Sequence, residues 1–472
     1  MDEFNVISFP NQTRTAYAEI PRVLEERENG PIEKKMRTIL NGLEGTQYPD
    51  TFDWSIYDKI ASRYSDNQPR GGVVFNTGLK LLNHHASCTK CHYSFEVDTY
   101  GRGCVHNCVY CYAKEILTRH GYWNEPMPFP INLAEIRKIF YTVFETNRKS
   151  KWREVLEKRV PIRIGSMSDS FMWADKKFKV SLELLKILRF YRYPHIIFTR
   201  SDLIATQDYV DAMDPELVSI QFSMSGGNET LVRKLEPGAP SIQRRLEALK
   251  VLAECGFWTT VRINPLFPIY PDGYFTDQKS IIERFGSPTA VPKFDLFDWS
   301  FIQRLKEYKV PSLLAGFVRL SPFAIRGISK EIGFDFSKFF KPELHGKTSD
   351  SHYSDSEIAY YYKKIQQECV RAGIRFNQCY IGQGLKDYYA YQSLWDNKGD
   401  CCDARGMVSA FQASSQDIPW EIRLKHAPHK EEALQAKQAD DTMEQRLNVT
   451  PGLTIISHTK LRLISSELVG NE

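Results

Sequence analysis

Short strand-like runs alternate with longer helix-like segments along the middle of this 472-residue chain. The strand-like runs are rich in β-branched and aromatic residues, and they lie at 95–100, 161–165, 195–199, 217–222, 257–263 and 311–320. Apolar residues three and four positions apart mark the helices between them. Strands that alternate with helices indicate βα units and a parallel sheet. Six such units predict the α/β fold class, as a partial (β/α)6 barrel with fewer units than the closed eight-unit form.

The segments on either side of this pattern set the expected domain boundaries. The divisions are an N-terminal extension at 1–94, the partial barrel at 95–325, a C-terminal region at 326–424 and a helical tail at 425–472. Within the C-terminal region, a helix over 355–372 and a strand over 374–381 are expected to form one extra unit. The charged tail is interpreted as an appended arm or a subunit contact.

Composition and charge narrow the class of protein. Hydrophobic residues make up 42% of the chain and aromatic residues 13%, which is typical of a globular protein with a sizeable core. The chain opens without a basic stretch before an apolar one, and no apolar run is long enough to cross a bilayer. We therefore expect a soluble, cytoplasmic protein without a membrane partner. A net charge of +4 permits a nucleic-acid partner without arguing for one.

Three cysteines follow the first predicted strand, namely Cys104, Cys108 and Cys111. The chain has ten cysteines, too sparse for a disulfide scaffold, and five of them lie between Cys88 and Cys111. Such clustering in a cytosolic protein indicates metal binding. Three thiolates at short spacing can hold three irons of a 4Fe–4S cluster and leave the fourth iron open. The alternatives are buried free thiols or zinc, which usually takes four protein ligands at paired spacings.

The cysteine spacing, with the aromatic Tyr110 before the last cysteine, resembles the signature of radical S-adenosylmethionine (SAM) enzymes. Later runs resemble the spore photoproduct lyase-like branch of that superfamily, and they lie at 161–170, 196–203, 235–249, 255–256 and 261–265. The resemblance spans roughly residues 95–325. It implies an enzyme whose 4Fe–4S cluster, at the carboxyl ends of the barrel strands, cleaves SAM to a 5′-deoxyadenosyl radical.

The resemblance also implies roles for single residues in binding SAM. Tyr110 and Tyr112 would flank the adenosyl group, and Ser168 would lie near the methionine part. Arg200 takes the place of a lysine that contacts the SAM carboxylate, which a guanidinium can bind through two hydrogen bonds. Ser223, at the end of the fourth predicted strand, would hydrogen-bond to SAM.

Each of these residues also has a purely structural interpretation. Tyr112 and Ser168 could be ordinary polar residues at strand ends. Arg200 could form a surface ion pair with Asp202 or Asp169. Glu236 is expected to brace its loop, and His106, inside the cysteine motif, is expected to be exposed.

One departure from the lyase concerns the return of a hydrogen atom to the product radical. The lyase uses a cysteine near the end of its second strand, whereas residues 165–169 here contain none. A serine hydroxyl is a far poorer hydrogen donor to a carbon radical. The hypothesis is therefore a relative with a changed reaction, such as a rearrangement in which 5′-deoxyadenosine itself returns the hydrogen.

Five further cysteines could form a second metal site holding zinc or another iron–sulfur cluster, namely Cys88, Cys91, Cys379, Cys401 and Cys402. This requires the C-terminal region to fold back over the barrel. The alternative is that Cys88 and Cys91 are a partly buried pair and that Cys379 is a strand core residue.

Three functions are compatible with these features. The first is a radical SAM enzyme of lyase or isomerase type that acts on a nucleic-acid base, with thymine or a modified thymine in DNA repair or DNA modification as the expected substrate. Its expected partners are DNA and a reductant such as flavodoxin or ferredoxin. The second is a radical SAM enzyme acting on a peptide or small metabolite. The third is a non-catalytic zinc-binding nucleic-acid protein.

Overall fold

A parallel sheet with one antiparallel edge strand organises the protein. The computed structural model describes residues 80–81, 93–119, 128–267, 278–340, 351–379, 391–412 and 420–426, apart from short gaps within these ranges, and isolated positions between 431 and 438. The strands are β1 Lys80–Leu81, β2 Phe95–Val97, β3 Tyr100–Gly101, β4 Phe129–Pro130, β5 Ile162–Ile164, β6 His195–Thr199, β7 Val218–Ser223, β8 Trp258–Leu266, β9 Ser312–Phe317 and β10 Arg375–Gln378.

The order of strands in the main sheet is β1-β2-β5-β6-β7-β8-β9-β10. The seven strands from β2 to β10 pair in parallel, and β1 pairs antiparallel with β2. A separate antiparallel pair joins β3 to β4. The sheet is open, which confirms the predicted α/β partial barrel. The extra unit expected after the six supplies β10, so the sheet continues beyond residue 325.

Helices lie between the strands and also follow the last strand, β10. They are α1 Tyr112–Arg119, α2 Leu133–Phe144, α3 Arg153–Glu157, α4 Asp175–Phe178, α5 Val180–Phe190, α6 Gln207–Ala212, α7 Glu229–Leu235, α8 Ile242–Glu254, α9 Gln278–Phe285, α10 Trp299–Glu307, α11 Pro322–Ile332, α12 Asp355–Ala372, α13 Ser409–Gln412 and α14 Trp420–His426. No helix in the described part of the chain is both long enough and apolar enough to span a membrane.

Local sequence explains where several helices begin and end. The Ser354 hydroxyl and the Glu357 carboxylate form a capping box at the start of α12, and Gly373 ends it in a left-handed conformation. Ser241 accepts a hydrogen bond from the Arg244 backbone amide at the start of α8. These signals lie within a few residues of each boundary, so they are readable from sequence.

The two faces of the sheet bury different sets of side chains, because successive strand residues point to opposite sides. In β9, Leu313 and Ala315 join the large core beneath the helices, whereas Leu314 faces the other side. That inner face is covered by the segment 395–411. Together with Ile196 and Leu314 of the sheet, this segment forms a second, smaller hydrophobic core. The buried residues that the segment supplies to it are Trp395, Cys401, Cys402, Ala404, Val408 and Phe411.

Candidate active site

A cavity of about 490 Å³ opens at the carboxyl ends of the parallel strands. Its walls include residues at or just after the ends of β5, β6, β7, β8 and β9. Parallel strands direct their carboxyl ends to the same edge of the barrel, where such folds place their chemistry. All eight residues predicted for the cluster and for SAM line this cavity, namely Cys104, Cys108, Tyr110, Cys111, Tyr112, Ser168, Arg200 and Ser223.

The three cysteines of the motif lie on the loop 103–111, between β3 and α1. Its turns are closed by hydrogen bonds from the Asn107 amide to the Cys104 carbonyl and from the Cys111 amide to the Cys108 carbonyl, both 3.2 Å. Cys104 and Cys108 are buried, Cys111 is half-buried, and all three are free thiols. Burial raises the pKa of Cys104 to about 12, and Asp169 adds to the shift. The buried thiols are therefore suited to a bound cation, which deprotonates a coordinating thiol.

A second loop clamps the cysteine loop in place. The Val109 amide donates to the Leu235 carbonyl at 2.9 Å, and the Gly238 amide donates to the His106 carbonyl at 3.0 Å. A Cβ atom added to Gly238 would lie 1.9 Å from the Val105 carbonyl oxygen. Glycine at 238 therefore permits the close approach of the two loops.

His106 is buried, and the expectation that it would be exposed is wrong. Its Nε2 lies 3.0 Å from Oδ2 of Asp169, and its Nδ1 lies 3.1 Å from the Gly238 carbonyl oxygen. Asp169 also accepts from the Thr199 hydroxyl at 2.8 Å and from the Arg200 amide at 2.6 Å. Burial would raise the pKa of Asp169, but His106 and the backbone donors hold it below its usual value. The pair ties the cysteine loop to the ends of β5 and β6.

Glu236 is a buried carboxylate beneath the cavity. It accepts hydrogen bonds from the Tyr110 hydroxyl, from the Ser225 hydroxyl at 2.8 Å and from Arg245 Nη2 at 2.5 Å. Burial alone would raise its pKa, but Arg245 and Arg200 hold the pKa at about 2. Glu236 thus braces more than its own loop, because it also holds the aromatic residue of the cysteine motif.

The two tyrosines of the motif face different surroundings. Tyr110 is buried, and its ring packs edge-on against Phe267 with centroids 5.1 Å apart. Tyr112 is 58% exposed and donates from its hydroxyl to the Ser166 carbonyl at 2.6 Å. Tyr110 therefore contributes to the wall of the cavity, while Tyr112 lies at its mouth.

Arg200 pairs with neither of the residues considered for a surface ion pair. Its Nε lies 3.6 Å from Oε1 of Glu236, and its guanidinium lies 5.9 Å from the centre of the Tyr110 ring. The side chain of Asp202 instead accepts from Arg244 Nε at 2.6 Å. Asp169 accepts a hydrogen bond from the backbone amide of Arg200, and not from its guanidinium, within the described part of the chain. The guanidinium is thereby held at the cavity wall.

The two serines differ in what their side chains contact. Ser168 donates from its hydroxyl to the Tyr100 carbonyl at 2.6 Å. Ser223 is the last residue of β7, and its carbonyl accepts from Arg245 Nη1 at 3.1 Å. Sequence reasoning missed Arg245, although its position in the run after Glu236 was a signal that it lies near the site.

Arginines dominate the charge of the cavity wall. Among the described lining residues, the cationic side chains are Arg163, Arg200, Arg262 and Arg319, and the one carboxylate is Asp169. Arg163 forms a hydrogen-bonded ion pair with the buried Glu96. Asp169 already faces His106. The cavity therefore carries a net positive charge, which favours anionic ligands.

The cysteines proposed for a second site are only partly described. Cys379 follows β10 and is half-buried, while Cys401 and Cys402 are buried in the segment on the inner face. Cys88 and Cys91 lie outside the described residues, so their part in a second site stays a prediction. Cys369 is buried in α12, and Cys255 is exposed at the end of α8.

Comparisons with known proteins agree with this arrangement. Residues 99–277 match the family model of the Radical SAM superfamily. An uncharacterized protein of Methanocaldococcus jannaschii is 28% identical over 210 residues, which is 44% of this chain and 71% of that protein. An uncharacterized protein of Mycobacterium tuberculosis is 24% identical over 214 residues, 44% of this chain and 60% of that protein.

Two solved structures are similar to parts of this chain at low identity. Spore photoproduct lyase complexed with dinucleoside spore photoproduct is 14% identical, with 75% of this chain and 96% of that chain covered and a TM-score of 0.44. Streptococcus suis SuiB bound to precursor peptide SuiA is 12% identical, with 77% and 63% covered and a TM-score of 0.34. The segment that matches the Radical SAM superfamily model contains the cysteine loop and the strands β5 to β8 around it.

Proposed function

We propose that this protein uses a 4Fe–4S cluster and SAM to act on a nucleic-acid base, specifically thymine or a modified thymine in DNA. The match of residues 99–277 to the Radical SAM superfamily model supports the cluster and SAM, and the three thiols on the cavity wall fit the cluster. Bound together, these groups supply a 5′-deoxyadenosyl radical. The observation that carries the substrate proposal is the cavity lined by four arginines.

A nucleic acid carries an anionic phosphate on both sides of each internal base. Arginine binds phosphate through two parallel hydrogen bonds, and an arginine-lined cavity attracts the phosphates on both sides of a base. A base in duplex DNA must leave the stack to enter a cavity of this kind. The resemblance of the sequence to the spore photoproduct lyase-like branch supports the same substrate class by analogy.

The proposed SAM contacts use side chains that already line the cavity. Cys104, Cys108 and Cys111 would hold the cluster, and Arg200 would bind the SAM carboxylate through its guanidinium. The backbone and hydroxyl groups of Ser168 and Ser223 line the same cavity and would orient the rest of SAM. Tyr110 and Tyr112 would enclose the adenosyl group.

The set of lining residues favours a rearrangement over the lyase reaction. Among the described residues that line the cavity, the thiols are those of the three motif cysteines. Ser166 and Ser168 are in the stretch where the lyase carries its hydrogen-donating cysteine. We therefore propose an isomerase type in which the hydrogen removed from the substrate returns from 5′-deoxyadenosine.

The direct test is the formation of 5′-deoxyadenosine by reconstituted, reduced enzyme. Dithionite and a flavodoxin or ferredoxin system are compared as reductants, with Cys104→Ala as the inactive control. Because an isomerase of this kind re-forms SAM after each turnover, we expect only a small amount of 5′-deoxyadenosine from uncoupled cleavage. Deuterium from the methyl group of labelled thymine in DNA should appear in recovered SAM. Absence of both 5′-deoxyadenosine and deuterium transfer in every condition would contradict the enzyme class.

Salt dependence separates a nucleic acid from a peptide or small metabolite as substrate. Affinity for DNA should fall steeply with salt, because each arginine–phosphate contact releases counterions. Arg319→Gln should weaken binding and reduce the salt slope, whereas the exposed Arg371→Gln on α12 should leave both unchanged. DNA binding that does not depend on salt or on Arg319 would favour the alternative substrates.

A further inference from the structure

Three thiols lie together on the inner face of the barrel, next to the cavity but outside its proposed chemistry. Cys401 and Cys402 are adjacent in sequence and only 5% and 4% exposed. Their sulfur atoms, with one Asp400 oxygen, lie within 4.8 Å of one another. The Cys379 sulfur, just after β10, lies outside this group but is close enough to Cys401 to interact with it electrostatically, so it would move toward the pair when a metal binds.

Asp400 organises this loop and is not itself available as a ligand. Its Oδ2 accepts from the Tyr93 hydroxyl at 2.6 Å and from the amides of Ala404 and Arg405 at 2.9 and 2.8 Å. Its Oδ1 accepts from the Cys402 amide at 2.9 Å. Four donors thus satisfy the Asp400 carboxylate, and the loop folds around this side chain. The two neighbouring thiols, rather than the carboxylate, are therefore the groups available to bind a metal.

Side chains of three strands, β7, β9 and β10, form hydrogen bonds with the loop that carries Cys401 and Cys402. Asp403 has a left-handed backbone, with φ of 50°, which is costly for a non-glycine residue. Its carboxylate accepts two hydrogen bonds from Arg375, both 2.8 Å, and one from the Ser312 hydroxyl at 2.8 Å. Gln221 donates to the Cys402 carbonyl at 3.1 Å. The position of both thiols is therefore determined before any ligand binds.

The guanidinium of Arg262 lies beside the thiols and has no carboxylate partner in the described part of the chain. Arg262 Nη2 donates to the Cys379 sulfur at 2.9 Å, and Nη1 donates to Gln221 Oε1 at 3.1 Å. No carboxylate within the described residues forms an ion pair with this guanidinium. A neutral thiol is a weak acceptor, so a charged centre with thiolate ligands would be a better partner for Arg262.

We propose that Cys379, Cys401 and Cys402 bind a zinc ion on the inner face of the barrel. Three thiolates, one divalent cation and Arg262 sum to zero charge, so the centre can be buried without an unpaired charge. Binding releases the three thiol protons, and one coordination position remains for a fourth ligand. This inference does not depend on the identity of the substrate, although Arg262 also lies on the cavity wall.

Zinc fits the geometry better than a second iron–sulfur cluster. Two thiolates on one tetrahedral zinc lie about 3.8 Å apart, given Zn–S bonds of about 2.3 Å. The sulfurs of Cys401 and Cys402 lie within 4.8 Å of each other, which is near that separation. In a cubane each thiolate binds a different iron, so the ligand sulfurs are farther apart. The bound zinc would tie β10 to the segment that covers the inner face.

The test counts zinc in full-length protein from which the motif cysteines have been removed. In the triple variant Cys104→Ala/Cys108→Ala/Cys111→Ala, zinc cannot occupy an empty cluster site. We expect about one zinc per chain after extensive dialysis, as a structural site retains its metal. Adding Cys401→Ser, Cys402→Ser or Cys379→Ser should each lower zinc retention by at least about tenfold.

Two other cysteines provide matched controls. Cys255→Ser alters an exposed thiol and Cys369→Ser a buried one, and both should keep the zinc. If the loop variants fail to fold, cobalt substitution of the triple variant keeps the test decisive. A thiolate-to-cobalt charge-transfer absorption is then expected. Zinc that is absent from the triple variant, zinc that survives all three loop substitutions, or iron with sulfide in its place would overturn the proposal.

Discussion

At the scale of single residues, buried charges hold the cysteine loop and the cavity wall together. Glu236 and Arg245 are both fully buried and form a short ion pair across the start of α8. His106 and Asp169 form a second buried pair, 63 residues apart in sequence. Removing one partner of such a pair leaves the other charge buried and uncompensated, which is strongly destabilising. Replacing both partners by apolar residues would cost much less.

Replacing Glu236 by glutamine should destabilise the fold strongly. The change leaves the Arg245 guanidinium buried without its counter-charge, at a cost of about 3–5 kcal/mol. Urea unfolding followed by circular dichroism measures the loss. The exposed Glu247→Gln, on the same stretch of α8, should change the free energy of unfolding by less than about 0.5 kcal/mol. Equal effects of the two substitutions would contradict the buried-pair account.

The same carboxylate predicts a pH dependence of stability. Burial raises and the two arginines lower the pKa of Glu236, which is about 2 in the folded protein. A glutamate in an unfolded chain titrates near about 4.3, so the folded state binds its proton less readily. Its stabilisation is therefore complete above the unfolded pKa and is lost as the pH falls through the folded pKa.

We expect the wild type to lose stability between about pH 5 and pH 2 more steeply than Glu236→Gln does. Urea midpoints measured across that range provide the comparison, since other carboxylates contribute equally to both proteins. Parallel curves for the two proteins would show that Glu236 is not held ionised by Arg245.

At the scale of elements, two loops meet at a contact that only glycine allows. The amide and carbonyl of Gly238 both bond to His106, in the middle of the cysteine loop. The strand ends form the wall of the cavity, and the contact between Gly238 and His106 sets the position of the cysteine loop against that wall. The Glu-Pro-Gly run is visible in the sequence, whereas its partner loop is more than a hundred residues away.

Gly238→Ala should impair cluster retention. The added Cβ would lie 1.9 Å from the Val105 carbonyl oxygen, so one of the two loops must move. We expect at least about a fivefold loss of iron per chain after reconstitution and chelator challenge. Gly256→Ala is the matched control, since its Cβ meets nothing within 4 Å and its positive φ costs only about 1 kcal/mol. Full iron retention in Gly238→Ala would contradict the clamp.

At the scale of the whole molecule, the C-terminal segment completes the barrel from inside. Trp395, Val408 and Phe411 pack against Ile196 and Leu314, which face away from the helices. The Ala410 amide also donates to the Glu216 carbonyl at 2.9 Å. A half-open sheet would otherwise expose these apolar side chains to water, so the segment and the sheet should fold as one unit.

Phe411→Ala should therefore behave as a core substitution. Phe411 is 1% exposed, and its removal should cost about 3–5 kcal/mol, as for a phenylalanine in the main core. The 45% exposed Phe323→Ala should change little. Fluorescence and circular dichroism should report one coincident unfolding transition in the wild type. A separate early transition caused by Phe411→Ala would show that the segment is an independent module.

Local patterns carried much of the fold. The predicted strand over 195–199 and the predicted helix over 355–372 coincide with β6 and α12. Their limits depend on neighbours in sequence, such as the capping box at Ser354 and the stop at Gly373. The cysteine spacing and the strand-end positions of Ser168, Arg200 and Ser223 likewise placed the predicted site residues at one cavity.

Sequence alone determined the βα order, the cysteine loop and the end of the barrel to which the site residues belong. Only the tertiary structure decided that His106 is buried against Asp169, that Glu236 pairs with Arg245, and that the segment 395–411 fills the inner face. The physical reason is range: periodicity and caps act over a few residues. Buried partners are chosen instead by the whole packing arrangement, which brings together groups that no local pattern connects.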